Sequence, residues 1–172
     1  EELEPGRGYF GEHILDALEA ANIGTWTIDL TTHCVTASPS LKRLMGMGDD
    51  VPPVAPIDQY IEGIHPDDRE QVREAAFRAL ASRTRLDVQF RCVGTDGKER
   101  WIMGRGAPVR SAAGTVEQFA GAATDITENK LAAEADAKFR TFFDQGSYFA
   151  GVMSLDGTVF EANRVCLDAC GF

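Results

Sequence analysis

Residues 143–172 repeat the buried pattern of residues 18–47 without a gap. Apolar residues meet at Leu18 and Phe143, Ile23 and Tyr148, Ile28 and Met153, Leu30 and Leu155, Cys34 and Val159, Val35 and Phe160, Leu41 and Cys166, and Met45 and Cys170. Gly46 falls on Gly171. The identities are Leu30/Leu155, Ala37/Ala162 and Gly46/Gly171, so the pattern carries the correspondence rather than the letters. The spacing sets a unit of about 110 residues followed by a helical joint, with one whole copy and the first part of another. Arrays of such units are more often sensory or binding modules than enzymes.

A chain of 172 residues holds one well-buried domain with residues to spare. No apolar run approaches the roughly 18–20 residues of a membrane span. The start, Glu1-Glu2-Leu3-Glu4-Pro5, lacks the basic and apolar regions of a signal peptide. A cytoplasmic segment without membrane contact is therefore expected, with an anchor outside it left open. The net charge of −10 disfavours nucleic acid and anionic lipid, whose binding draws on Lys and Arg. Cys34, Cys92, Cys166 and Cys170 include no CxxC pair, so reduced, buried thiols are expected.

Ile14, Leu15, Leu18 and Ala21 form the stripe of a short helix over residues 11–21. Residues 25–30 alternate as a half-buried strand, residues 31–33 turn, and residues 34–37 return. In the second copy, residues 151–155, Asp156-Gly157 and residues 158–160 read as a hairpin, because both turn residues tolerate φ > 0. Ser38-Pro39-Ser40 opens a short helix with Leu41, Leu44 and Met45 inward. Residues 48–56 read as loop, and Ile57, Tyr60, Ile61 and Ile64 suit a helical turn or two. Pro66 starts a helix, with Asp67 and Asp68 at its positive end and Val72, Ala76, Ala79 and Leu80 on one face.

Three strands follow, over residues 86–92, 101–109 and 116–126, joined by turns at Gly94-Thr95-Asp96-Gly97 and Ala112-Ala113-Gly114. The order β-β, three short helices, β-β-β is an α+β layout: one antiparallel sheet with helices on one face. From Thr127 the chain reads helical. Asp125 serves as an acidic N-cap with Glu128 three on, and Thr127 is a rival cap. Ala132, Ala135, Phe139 and Phe142 follow at 3-4-3 spacing, which suits a dimeric helical joint.

These residues resemble a PAS domain, and more narrowly the subgroup common in bacterial sensor histidine kinases and diguanylate cyclases. The resemblance rests on the element order, His65-Pro66-Asp67-Asp68-Arg69 opening a helix, Trp101 starting a strand, Gly121-Ala122-Ala123-Thr124 in the last strand, and Asp125-Ile126-Thr127-Glu128 closing it. It covers residues 11–128, and residues 139–172 look like the first third of a second PAS domain. It implies a five-stranded antiparallel sheet, flanked by N- and C-terminal helices, whose concave face holds a small molecule or nothing. The expected layout is residues 1–17 as an extension and flanking helix, 18–126 as the PAS domain, 127–142 as a linker and 143–172 as the second start.

By the resemblance, Asp125, Thr127 and Glu128 form the joint through which a signal leaves the sheet. A capped junction fixes how the outgoing helix departs, so a shift in the last strand can rotate or fray it. Trp26, Ile28, Phe77, Phe90, Trp101 and Met103 are the candidates for the cavity. Arg91 and Arg105 are expected to pair with Asp87 or Glu99 on the solvent face rather than with an anionic ligand. His65 is expected to be a turn residue, although some family members ligate haem through histidine. The Asn-Cys-Arg stretch of a flavin adduct is missing. No cofactor is required by the sequence, while haem and non-covalent flavin stay open.

The chain carries no catalytic triad, phosphate loop or zinc spacing, so the fragment is not expected to be an enzyme. The leading expectation is a sensory and dimerisation module of a bacterial signalling protein, possessing a downstream effector such as a histidine kinase or cyclase. It binds a small ligand or relays a partner's signal. Alternatives are a ligand-free interaction scaffold and a haem- or flavin-dependent sensor. An isolated hairpin at residues 146–172 is marginal in water, so stabilisation across a homodimer is expected there.

Overall fold

The computed structural model describes residues 7–48, 50–145 and 147–171, with the side chains of residues 7–10 and 12 excepted. The chain divides into two compact units, Glu1–Thr127 and Glu128–Phe172.

In the first unit, α1 (Arg7–Ala20) precedes the hairpin β1 (Gly24–Asp29) and β2 (Cys34–Ala37). Asp29 makes that turn by accepting the Thr31 and Thr32 amides, each at 2.8 Å. Then come α2 (Pro39–Leu44), β3 (Val54–Pro56), α3 (Ile57–Glu62), a 3₁₀ turn (Pro66–Asp68), α4 (Arg69–Ser82), and the meander β4 (Leu86–Val93), β5 (Glu99–Arg110) and β6 (Val116–Asp125). The strands form one antiparallel sheet in the order β3-β2-β1-β6-β5-β4. The α+β architecture is as expected, with one more strand than the five.

The extra strand is β3, inside the stretch read as loop. Proline conceals it in the sequence, since Pro52, Pro53 and Pro56 surround Val54-Ala55. It lies at the sheet edge, where proline's missing donor is tolerated. Val35 pairs with Ala55, which is buried.

Period-two alternation separates the faces of the sheet. Ile28, Val35, Ala37, Val88, Phe90, Cys92, Ile102, Phe119 and Ala123 join the core with Leu41 and Leu44 of α2 and Val72 and Ala79 of α4. Cys92 is buried there, which pushes its thiol up to about 12 and keeps it protonated. Cys170, by contrast, is exposed rather than buried as the sequence suggested.

The helix α5 (Thr127–Gln145) begins at the last residue of the first unit and continues in the second, where the hairpin β7 (Gly151–Met153) and β8 (Val159–Ala162) and then α6 (Arg164–Cys170) follow. Of Asp156 and Gly157, Gly157 alone takes positive φ, at 91°. The connection is thus a longer loop, in which Asp156 accepts the Thr158 amide, rather than a two-residue turn.

The two hairpin-helix segments carry matching hydrogen bonds. Ser38 Oγ accepts the amides of Thr25 (2.9 Å) and Leu41 (3.2 Å). In the corresponding places Asn163 Oδ1 accepts the amides of Ala150 and Cys166, both at 3.1 Å. The register agrees as well: Trp26 pairs with Ala37, and Gly151 with Ala162. Gly46 and Gly171 both take positive φ beyond the short helix.

Candidate functional site: an apolar cavity and a capped junction

The core of the first unit leaves a partly open cavity of about 110 Å³ between the sheet and its helices. Ile28, Val35, Val88, Phe90, Gly104 and Ala123 form its floor, and Leu41, Tyr60, Val72 and Ala76 cover it from α2, α3 and α4. Trp26 stands on the same inner face at one end. Its ring lies across Gly121, its register partner, and Gly106, which pairs with Gly121. A Cβ on Gly106 would come within 2.3 Å of the indole, and one on Gly121 within 2.4 Å of it and 2.2 Å of the Arg105 carbonyl. Glycine is required at both places because ring and backbone occupy the space a side chain would take.

Among the sequence-predicted pocket residues, Trp26, Ile28 and Phe90 line this cavity and three others do not. Phe77 is 73% exposed, on the solvent side of α4. Trp101 and Met103 alternate with buried Ile102 and glycine Gly104 along β5, so both side chains leave from the outer face. Aromatic character suggested burial, and strand parity decided otherwise. Tyr60 escaped the sequence-based selection, as did the role of the glycines. The glycines had a signal: Gly104, Gly106 and Gly121 sit inside strands, where glycine marks a close approach.

The outer face carries ion pairs. Arg105 Nε donates to Asp87 at 3.1 Å, as expected. Arg91 does not take Asp87 or Glu99 as its main partner. Asp68 accepts its Nε at 2.9 Å, its Nη2 at 2.6 Å and its backbone amide at 2.8 Å. Those bonds hold the Asp68 carboxyl below its ordinary range and raise the guanidinium. Asp68 thereby ties the start of α4 to β4, a job beyond complementing a helix dipole. The Arg91 guanidinium lies 5.6 Å from the centre of the Trp101 ring. His65 accepts the Asp67 amide at 3.3 Å through Nδ1 and so works as a turn residue.

The junction is built from three residues. Asp125 accepts the Thr127 amide at 2.8 Å and the Thr127 hydroxyl. Thr127 Oγ1 in turn accepts the Trp101 amide at 2.9 Å, and the Ile126 amide donates to the Trp101 carbonyl at 2.8 Å. The two cap candidates therefore act together, and Thr127, the last residue of the first unit, is bonded to Trp101 of β5. Glu128 lies in the first turn, where the dipole favours a carboxylate. Along α5, Ala132, Ala135, Phe139 and Phe142 are all exposed, and Phe139 stacks on Phe143 at 5.4 Å.

The cavity lining offers no imidazole or thiolate for iron, its surface is almost wholly apolar, and 110 Å³ lies below the roughly 300–1,000 Å³ of pockets for larger ligands. Among the described residues no cluster of His, Cys, Asp and Glu is arranged to hold a metal ion. No described helix is long and apolar enough to cross a membrane.

Known proteins are similar to this chain. The sensor protein FixL of Bradyrhizobium diazoefficiens is 37% identical over 120 residues, covering 70% of this chain and 23% of its own. A blue-light-activated histidine kinase of Brucella anthropi is 29% identical over 119 residues, covering 69% of this chain and 23% of its own. The chain therefore spans about a quarter of the length of these curated relatives. A crystal structure of a sensory box histidine kinase/response regulator from Burkholderia thailandensis superposes with a TM-score of 0.61 at 31% identity, covering 74% of this chain and 94% of that one. The family model described as the PAS fold matches residues 34–123, more than half of the chain and the stretch that supplies most of the cavity wall. With sheet, covering helices and family match in agreement, this chain belongs to the PAS fold family.

Proposed function

We propose that this chain is the sensory module of a bacterial signal-transduction protein, allied to sensor histidine kinases, with its effector on another segment of the parent protein. The apolar cavity between sheet and helices carries this reading: a core that leaves 110 Å³ unfilled admits a small ligand without rearrangement. The names of the relatives, a sensor protein and histidine kinases, support it. A PAS domain is not itself catalytic, so chemistry belongs to the effector.

The signal leaves through Asp125, Thr127 and Glu128 into residues 127–142. The Thr127 bond to Trp101 supports this route, because displacement of β5 or β6 acts directly on the first turn of α5. Residues 143–172 begin a second PAS unit; the matching caps of Ser38 and Asn163 support that assignment. The exposed Ala132, Ala135, Phe139 and Phe142 supply a homodimer contact along α5. The working location is the cytoplasm.

Native mass spectrometry of the purified chain tests the reading. A dimer carrying an added small mass is expected. A dimer without added mass moves the function to a ligand-free interaction scaffold, and a bare monomer removes the proposed dimer contact.

A further inference from the structure

Tyr60 is 6% exposed, and its hydroxyl, shut off from solvent, has no hydrogen-bond partner; among the described residues it is the buried side-chain polar atom left in that state. The ring lines the cavity, whose surface is otherwise almost wholly apolar. A buried hydroxyl without a partner is costly, so such groups are nearly always satisfied by protein, water or ligand. No protein group supplies a partner, and the ring lines the cavity, which leaves a molecule held there as a source of one.

The size of the space limits the candidates. A cavity of about 150 Å³ lined by apolar side chains holds benzene. At 110 Å³ this one suits a ring or short chain of about six to eight heavy atoms, and the walls exclude charge, since nothing there would pair with it. Burial raises the phenol further above its ordinary value, so the hydroxyl stays protonated and donates.

We propose that the cavity is a site for a small, neutral, largely apolar molecule bearing one hydrogen-bond acceptor, which receives the Tyr60 hydroxyl. This assignment rests on the sensory reading above and names the chemistry of its ligand. Trp26, closing one end over Gly106 and Gly121, gives the site a flat apolar wall against which a ring packs.

The test uses two probes of equal size, cyclohexanone and methylcyclohexane, titrated into the chain with methyl-labelled Ile28, Val35, Leu41 and Ile64 followed by NMR. Both probes are expected to shift these methyls. In Tyr60→Phe the ketone's affinity is expected to fall about three- to tenfold while the hydrocarbon's is unchanged, the worth of one hydrogen bond. The variant is expected to fold with an equal or higher Tm, because it removes an unpaired buried group, and this separates lost recognition from lost structure. If both probes bind and Tyr60→Phe alters them equally, the hydroxyl takes no part, and the assignment falls while the cavity reading stands. If neither probe moves the methyls, the cavity admits no ligand and both fall.

Discussion

Glycine and threonine control this domain at the scale of single residues. Gly121 has ordinary φ and is glycine for space alone, since the Trp26 ring and the Arg105 carbonyl both lie where its Cβ would be. Gly121→Ala is expected to cost about 2–3 kcal/mol by overpacking. It should also displace the indole, read as a shift in Trp26 emission in a Trp101→Phe background. Thr127 is governed by polarity instead. Thr127→Val keeps the shape but leaves the Trp101 amide without its acceptor, at about 1–2 kcal/mol. Faster hydrogen exchange at Trp101 is expected, and Thr127→Ser should restore protection. The Thr127 cap was legible in the sequence because Asp-Ile-Thr before a helical stripe has few other readings. Its reach across to Trp101 was not, because that bond joins residues 26 positions apart.

Elements were easiest to read where pattern and turn chemistry agreed. Leu86, Val88, Phe90 and Cys92 alternate without exception, and β4 runs from Leu86 to Val93. The three-residue β3 has too few positions for alternation to register, and its prolines argue for a loop. Trp101 and Met103 failed as pocket residues for a related reason: an aromatic or thioether side chain is large enough to suggest burial on either face, and only parity with Ile102 settles which. The hairpin-helix element occurs twice, with different caps. Ser38 accepts two amides. Asn163 accepts two and also donates to the carbonyls of Phe143 (2.9 Å) and Tyr148 (2.7 Å), from a side chain with no exposed surface. Removing it takes the side-chain partner from the Ala150 amide and the Phe143 and Tyr148 carbonyls, while the Cys166 amide keeps the Asn163 main-chain carbonyl at 3.0 Å. Asn163→Ala is therefore expected to cost about 2–4 kcal/mol, against about 1–2 kcal/mol for Ser38→Ala. Hydrogen exchange reads each loss separately, at Ala150 for one and at Thr25 and Leu41 for the other.

At the scale of the whole molecule, acidity is the property that both the sequence and the structure express. Composition gives the net charge of −10, and folding then places several carboxylates where they are needed ionised. Glu19, at the end of α1, accepts the Ser40 amide at 3.0 Å, the Ser40 hydroxyl at 2.8 Å and Arg43 at 3.0 Å, which brings its carboxyl down to about 2. Asp96, bonded to Arg100 and the Lys98 amide, is also held at about 2, and Asp29 and Asp68 are lowered by their own hydrogen bonds. Each of these groups binds a proton more readily unfolded than folded. Their contribution is complete above the ordinary carboxylate range and is lost as pH falls through it toward the folded values. For Glu19 that window runs from 4.5 down to about 2. Urea denaturation of the chain should show a midpoint nearly constant from pH 7 to pH 5 and falling steadily below it. Glu19→Gln should have a lower midpoint at pH 7 and a shallower fall below pH 4.5, because the variant has already lost what acid removes. It should also expose α1 first, since Ser40 and Arg43 belong to α2 and Glu19 is what joins the two helices. An unchanged acid profile in the variant would place the pH dependence on Asp68 and Asp96 instead, and α1 would then owe its position to Leu18 and its apolar neighbours rather than to the carboxylate.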